Sequence, residues 1–133
     1  MRFMLDTNIC IYIIKKKPEN VLNRFQKTSV ADIGISSITM SELAYGVEKS
    51  LKKEQNKIAL LLFISPLEIT PYADPAAQHY GEIRSALEKI GQPIGALDML
   101  IAAHARSLNV TLVTNNTKEF ERVPDLKVEN WVF

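Results

Sequence analysis

The sequence predicts an α/β fold with a mainly parallel central sheet and helices on both faces. Three observations carry this prediction. Short apolar or β-branched runs alternate along the chain with segments of helical periodicity. Several of these runs end abruptly in oxygen-bearing side chains, as expected where parallel strands deliver residues to one edge of a sheet. The 133 residues, 47% hydrophobic and 23% charged, have a globular composition and suffice for one domain with a sizeable core.

The elements follow in order. Phe3 to Leu5 is a short apolar strand that gives way to Asp6-Thr7-Asn8, and a helix opens over Ile9 to Ile14. Pro18, after Lys15-Lys16-Lys17, ends that helix or begins the next, which covers about Glu19 to Gln26. Asp32 to Ser36 reads as a second strand and Ile38 to Lys49 as a helix. Lys52 to Ile64 is helical, with Ile58, Leu61 and Leu62 expected on its buried face. Leu67 to Thr70 is a third strand. Asp74 and Pro75 then supply an N-cap and a first-turn proline. Ala76, Tyr80, Ile83, Leu87 and Ile90 follow as an apolar stripe, core or subunit interface, closed by Gly91. A Gly/Pro linker, Gly91 to Gly95, leads to a helix over Leu97 to Leu108, closed by Asn109. Thr111 to Thr114 is a strand, Lys118 to Arg122 a short helix, and Leu126 to Glu129 a final edge strand.

Composition excludes several classes of function. A formal net charge of +1 does not announce nucleic acid, although it leaves room for a local basic patch. Cys10 is the single cysteine, so no intramolecular disulfide or Cys-rich zinc site exists. His79 and His104 are too few and too far apart for a histidine-based metal site, and read as partly buried helix residues. The start of the chain lacks the pattern of a secretory signal, and the longest apolar run, Ile58 to Ile64, is too short to span a bilayer. A cytoplasmic protein is the expectation. No G-x-G-x-x-G or P-loop pattern supports a nucleotide-binding regulatory domain.

The polar residues carry the chemistry. Asp6 ends the first strand, Glu42 lies early in the helix after the second, and Asp98 sits in the first turn after Gly95. Asn116 follows the strand that ends at Thr114. In a parallel sheet these positions share one edge, so four oxygen-bearing side chains converge on one cleft. An acidic cluster of this kind is unfavourable unless it binds a cation, and oxygen ligands without Cys or His select Mg²⁺ or Mn²⁺ over zinc. Carboxylate-held Mg²⁺ is common apparatus for phosphodiester hydrolysis. Each residue also has a structural reading. Asp6 suits an N-cap, and Thr39-Met40-Ser41-Glu42 fits a capping box. Asp98 suits the positive end of a helix dipole, and Asn115-Asn116 an ordinary turn. Thr7 and Asn8 suit helix capping more than site support, whereas Thr114 is placed to orient a ligand.

Met4-Leu5-Asp6-Thr7-Asn8, Ser41-Glu42-Leu43, Pro93-Ile94-Gly95 with Asp98, and Leu112-Val113-Thr114-Asn115-Asn116 together resemble the PIN-domain ribonucleases. More narrowly, the chain resembles the VapC toxins of bacterial VapBC toxin–antitoxin pairs, over essentially its whole length. The tail from Thr114 to Val123 is similar to the enteric branch, which is associated with cutting initiator tRNA in its anticodon stem-loop. The resemblance implies a PIN-like fold and a Mg²⁺- or Mn²⁺-dependent endoribonuclease leaving a 5′-phosphate and a 3′-hydroxyl. Asp6, Glu42 and Asp98 carry over as the acidic metal-binding core, with Asn116 in the fourth position. That position is often an aspartate in the wider family, and Glu119, three residues on, is the candidate to supply the missing carboxylate. The resemblance further implies a homodimer, a VapB antitoxin that threads a C-terminal segment into the cleft, and promoter DNA bound through VapB alone. Lys15, Lys16, Lys17 and Arg24 form the densest basic run, with Arg84, Arg106, Lys118 and Arg122 as alternatives for phosphate contact. The substituted fourth position also admits a non-catalytic PIN module that binds RNA or a protein partner.

Overall fold

The computed structural model describes residues 1–132. Five strands form one sheet: β1 (Phe3–Leu5), β2 (Ile33–Ser36), β3 (Glu68–Thr70), β4 (Thr111–Val113) and β5 (Val128–Glu129). Their order is β3-β2-β1-β4-β5 and every neighbouring pair is parallel. The chain therefore winds outward from β1 through β2 to β3, then returns to the other side of β1 with β4. The strand order reverses between β1 and β4, and a crevice at such a point is where open α/β sheets bind ligands.

Seven helices cover the sheet: α1 (Thr7–Lys15), α2 (Glu19–Lys27), α3 (Ser37–Glu48), α4 (Lys53–Ile64), α5 (Asp74–Lys89), α6 (Ala96–Leu108) and α7 (Thr117–Phe120). Because successive strand residues point to opposite faces, β1 and β4 each feed two cores. Phe3, Leu5, Ile33, Ile35 and Val113 join Ile9, Ile13, Leu43, Leu60 and Trp131 on one face. Met4 and Leu112 join Ile83, Leu87, Ile101 and Phe120 on the other. The three central strands β1, β2 and β4 are largely buried and read as near-continuous apolar runs, whereas the edge strand β3 is exposed at Glu68 and Ile69.

Local chemistry sets the boundaries. Lys16 adopts a left-handed conformation at φ 61° and closes α1 two residues before Pro18. Asn109, at φ 55°, closes α6 in the same way, and Gly91, at φ 68°, stands at the exit of α5 as its sequence predicted. Asp74 is the first residue of α5 rather than its cap, which is Ala73. The larger correction concerns α4. Its buried residues are Leu60 and Phe63, whereas Ile58, Leu61 and Leu62 face outward at 59%, 52% and 73% exposure. The helix is apolar on most of its surface, so periodicity alone did not fix which stripe meets the sheet. Phe25, packed at 6.0 Å from Phe63, helps set the face. A 3₁₀ turn over Val30–Asp32, which the sequence did not announce, leads into β2.

Candidate active site

The carboxyl edge of β1 carries Asp6. Its extended backbone (φ −68°, ψ 158°) makes it the N-cap of α1, and its Oδ1 accepts the Thr7 backbone N–H at 2.8 Å. Its Oδ2 accepts the Thr114 hydroxyl at 2.8 Å, across the point where the strand order reverses. Asp6 therefore caps α1 with one oxygen and reaches across to the end of β4 with the other. Thr114 is fully buried, and its Oγ1 in turn accepts the Asn116 backbone N–H at 3.0 Å. This chain of bonds ties the β4–α7 turn to the end of β1.

Glu42 arrives from α3. The cap of that helix is Ser36, whose Oγ accepts the Ile38 N–H at 3.0 Å. The Thr39–Glu42 capping box does not form: Thr39 is buried, and its hydroxyl has no partner among the described residues. Glu42 instead accepts a 2.7 Å hydrogen bond from the Thr7 hydroxyl. Thr7 is the residue that sequence reasoning undervalued. It was assigned mainly to capping, yet its side chain holds Glu42 beside the end of β1. The Asp-Thr dipeptide at a strand end was the signal, since the residue after a buried carboxylate projects into the same cleft.

Asp98 is the third residue of α6, following the N-cap Gly95. A Cβ on Gly95 would stand 3.4 Å from Asp98 Oδ2, so glycine leaves this carboxylate room. Asp98 is pushed up from the ordinary 3.8 to about 6, chiefly by burial and then by the charges of Asp6, Glu119 and Glu42. Asp6 is also raised, mainly by burial, with Glu42 adding to the rise and the bonds from Thr114 and Thr7 opposing it. The charges of Asp6, Glu119 and Glu42 thus all act on Asp98 in the same direction. Asn116 sits at the cap position of α7, and its amide makes no capping hydrogen bond. Of the two candidates for the fourth position, Glu119 adds a charge that raises Asp98, whereas Asn116 offers a neutral amide.

None of these four carboxylates takes part in an ion pair among the described residues. Among the described residues no three His, Cys, Asp or Glu side chains enclose a single metal position. The donor set nevertheless fits a hard divalent cation. It is all oxygen, it is anionic, it lacks a protein counter-charge, and each Asp6 oxygen keeps a lone pair beyond its hydrogen bond.

The candidate phosphate contacts divide. Arg106 is committed to structure, donating to His79 Nδ1 at 2.8 Å, Glu82 at 2.5 Å and the Pro124 carbonyl at 3.1 Å. Arg24 pairs with Glu129 at 2.5 Å and lies over Trp131. Arg84 is held by Tyr80 and Glu88. Arg122 reaches the Pro93 carbonyl at 3.4 Å, beside the loop that leads to Asp98. His104 is buried against Ser36 and lowered in pKa by that burial, which suits a neutral core residue. A groove of about 310 Å³ runs from Glu42 between α1, α3 and α4, lined by Ile11, Ile14, Leu43, Val47 and Leu60.

Comparison with known proteins agrees with this geometry. Residues 3–126 match the PIN domain. Ribonuclease VapC2 of Rickettsia felis is 51% identical over 132 residues, covering 98% of each chain. The tRNA(fMet)-specific endonuclease VapC of Salmonella typhimurium is 48% identical over 131 residues, again covering 98% of each. Among solved structures, VapBC2 from Rickettsia felis bound to a fragment of its promoter superposes with a TM-score of 0.90 at 50% identity, covering 98% of this chain and 99% of that one. DNA-bound VapBC from Salmonella typhimurium superposes at 0.93 and 48% identity, covering 98% of both. The chain belongs to the PIN-domain family and, within it, to the VapC ribonucleases.

Proposed function

We propose that the chain is the endoribonuclease toxin of a type II toxin–antitoxin pair, acting in the cytoplasm on tRNA and first of all on initiator tRNA. The observation that carries this reading is 48% identity to a tRNA(fMet)-specific endonuclease over 98% of both chains. It is supported by the acidic charges of Asp6, Glu42 and Glu119 acting on Asp98 with no ion-pair partner among the described residues. PIN-domain nucleases generally depend on divalent metal, and Mg²⁺ is the cation we assign here, with Mn²⁺ able to substitute. Asp6, Glu42 and Asp98 would hold it, with Glu119 assisting and Asn116 contributing at most a neutral oxygen. A bound Mg²⁺ supplies a water of lowered pKa and neutralises charge on the phosphate. The hydroxyls of Thr114 and Thr7 hold the Asp6 and Glu42 carboxylates in position, and the Thr114 bond opposes the rise that burial causes in Asp6. The products are a 5′-phosphate and a 3′-hydroxyl.

The partner is a VapB antitoxin, and the relatives solved as VapBC complexes on DNA support this. Promoter DNA is contacted through that antitoxin, whose C-terminal segment enters the cleft of a homodimeric toxin. No described helix is long and apolar enough to cross a membrane.

The test is cleavage of purified bacterial tRNA, with initiator tRNA assayed separately, by wild type and Asp6→Ala in Mg²⁺, Mn²⁺ or EDTA. Discrete anticodon-loop cleavage by wild type alone, abolished by EDTA, is expected. Folded, antitoxin-free protein that binds tRNA equally in both variants and cuts none would favour a non-catalytic binding module instead.

A further inference from the structure

Beyond Glu42, α3 continues as a stripe that the metal site does not use. At 3.6 residues per turn, Tyr45 and Lys49 stand three and seven residues on and share the Glu42 side of the helix. Seven residues of helix span about 10 Å, the reach of a nucleotide or two of extended strand. Tyr45 is 65% exposed, unusual for an aromatic ring on a helix whose opposite side builds the core. The Lys49 ammonium lies 5.0 Å from its ring centroid, a cation–π contact beside a ring that stays largely exposed. The neighbouring Glu48 is occupied by Lys53 at 2.6 Å, whereas Lys49 and Lys52 have no carboxylate partner among the described residues. The two sides of α3 thus differ: Leu43 and Val47 face the apolar groove, while Tyr45 and Lys49 present a π-face and a positive charge. A ligand with flat rings and regularly spaced anions fits the second side, and a single-stranded nucleic acid has both.

We propose that Tyr45 and Lys49 form an RNA subsite next to the scissile position, Tyr45 stacking an unpaired base and Lys49 holding a nearby phosphate. The subsite rests on the nuclease reading above and extends it by stating where a splayed loop of the substrate lies. Stacking supplies affinity with little base preference, so these residues set how tightly a loop is gripped while the metal cleft sets where it is cut.

The experiment uses full-length, antitoxin-free protein and initiator tRNA. Binding is measured in EDTA by fluorescence anisotropy, and cleavage in Mg²⁺ under steady-state conditions. Tyr45→Ala weakens binding about tenfold, as for the loss of one base–aromatic stack, and raises KM with kcat nearly unchanged. Tyr45→Phe, which keeps the ring, restores both. Lys49→Gln lowers the slope of log Kd against log salt by about 0.7, the value for one phosphate contact on single-stranded nucleic acid. Wild-type binding and KM in Tyr45→Ala would overturn the subsite. So would a Tyr45→Ala protein that sediments at half the wild-type mass, because the ring would then belong to a contact between copies. Glu42→Gln separates the two hypotheses. It should bind tRNA and fail to cut it, and undiminished cleavage by this variant would remove the nuclease reading itself.

Discussion

Asp98→Asn should make the metal-free protein more stable and the metal-loaded protein no more so. Asp98 is raised from the ordinary 3.8 to about 6, so the folded state holds its proton more tightly than the unfolded chain does. A raised carboxylate binds more protons when folded, hence stability falls as pH climbs from about 4 to about 6 and stays low above that. At about 1.4 kcal/mol per pH unit, the difference between 3.8 and about 6 amounts to about 3 kcal/mol. Asp98 is only half-buried, and solvent screening reduces that figure to about 1–1.5 kcal/mol. For a chain of this size, the gain is a rise in Tm of about 3–6 °C near neutral pH and above. The asparagine has no charge to desolvate, so wild type and variant should converge at about pH 4. Adding Mg²⁺ at a hundredfold excess over Kd should stabilise wild type by about 2.7 kcal/mol and the variant far less. Thermal unfolding followed by circular dichroism across that pH range, with EDTA and then Mg²⁺, measures all three quantities. A variant less stable than wild type in EDTA at high pH, or one with an equal response to Mg²⁺, would refute the account of a cation-dependent acidic cluster.

Other residues yield sharper contrasts. Thr7→Val removes the donor to Glu42 and should lower kcat about tenfold while changing stability by about 1 kcal/mol or less, with Thr7→Ser restoring activity. Glu119→Gln should reduce cleavage of tRNA far more than Asn116→Ala, since only Glu119 brings charge to Asp98; equal losses would reverse the assignment. Trp131→Ala removes a ring that is 2% exposed and packed edge-on against Phe3 at 5.5 Å, so chemical denaturation should show a loss of about 3–5 kcal/mol.

Much of the molecule was legible before its structure. Strands buried on both faces must read as apolar runs, and a carboxylate at the end of such a run has few reasons to be there. The positions of Asp6 at the end of β1 and of Asp98 in the first turn of α6, and the bounds of α5 from Pro75 and Gly91, were therefore readable from the sequence alone. What remained hidden depends on pairing between distant segments. The Thr39–Glu42 spacing satisfies a capping box, but Ser36 ends β2 and takes the cap first, which turns Glu42 over to Thr7. The buried side of α4 was misassigned because Ile58, Leu61 and Leu62 are as apolar as Leu60 and Phe63. Only the position of α1 and α3 against that helix decides between the stripes. Asn116 and Glu119 could not be ranked from spacing, since one caps the short helix after β4 and the other lies within it.

The placement of β4 beside β1 has a consequence for synthesis. The partners that define the site come from opposite ends of the chain, and Asp6 receives the Thr114 hydroxyl only once β4 has paired with β1. A nascent chain still short of Val113 can collapse β1, β2 and their helices, yet it lacks the residues that complete the cleft. Products terminated before Thr114 lack the hydroxyl that Asp6 accepts and are expected to be inactive. A cell translating this protein meets the assembled cleft only when the polypeptide is almost finished, which leaves the interval of elongation free of its activity.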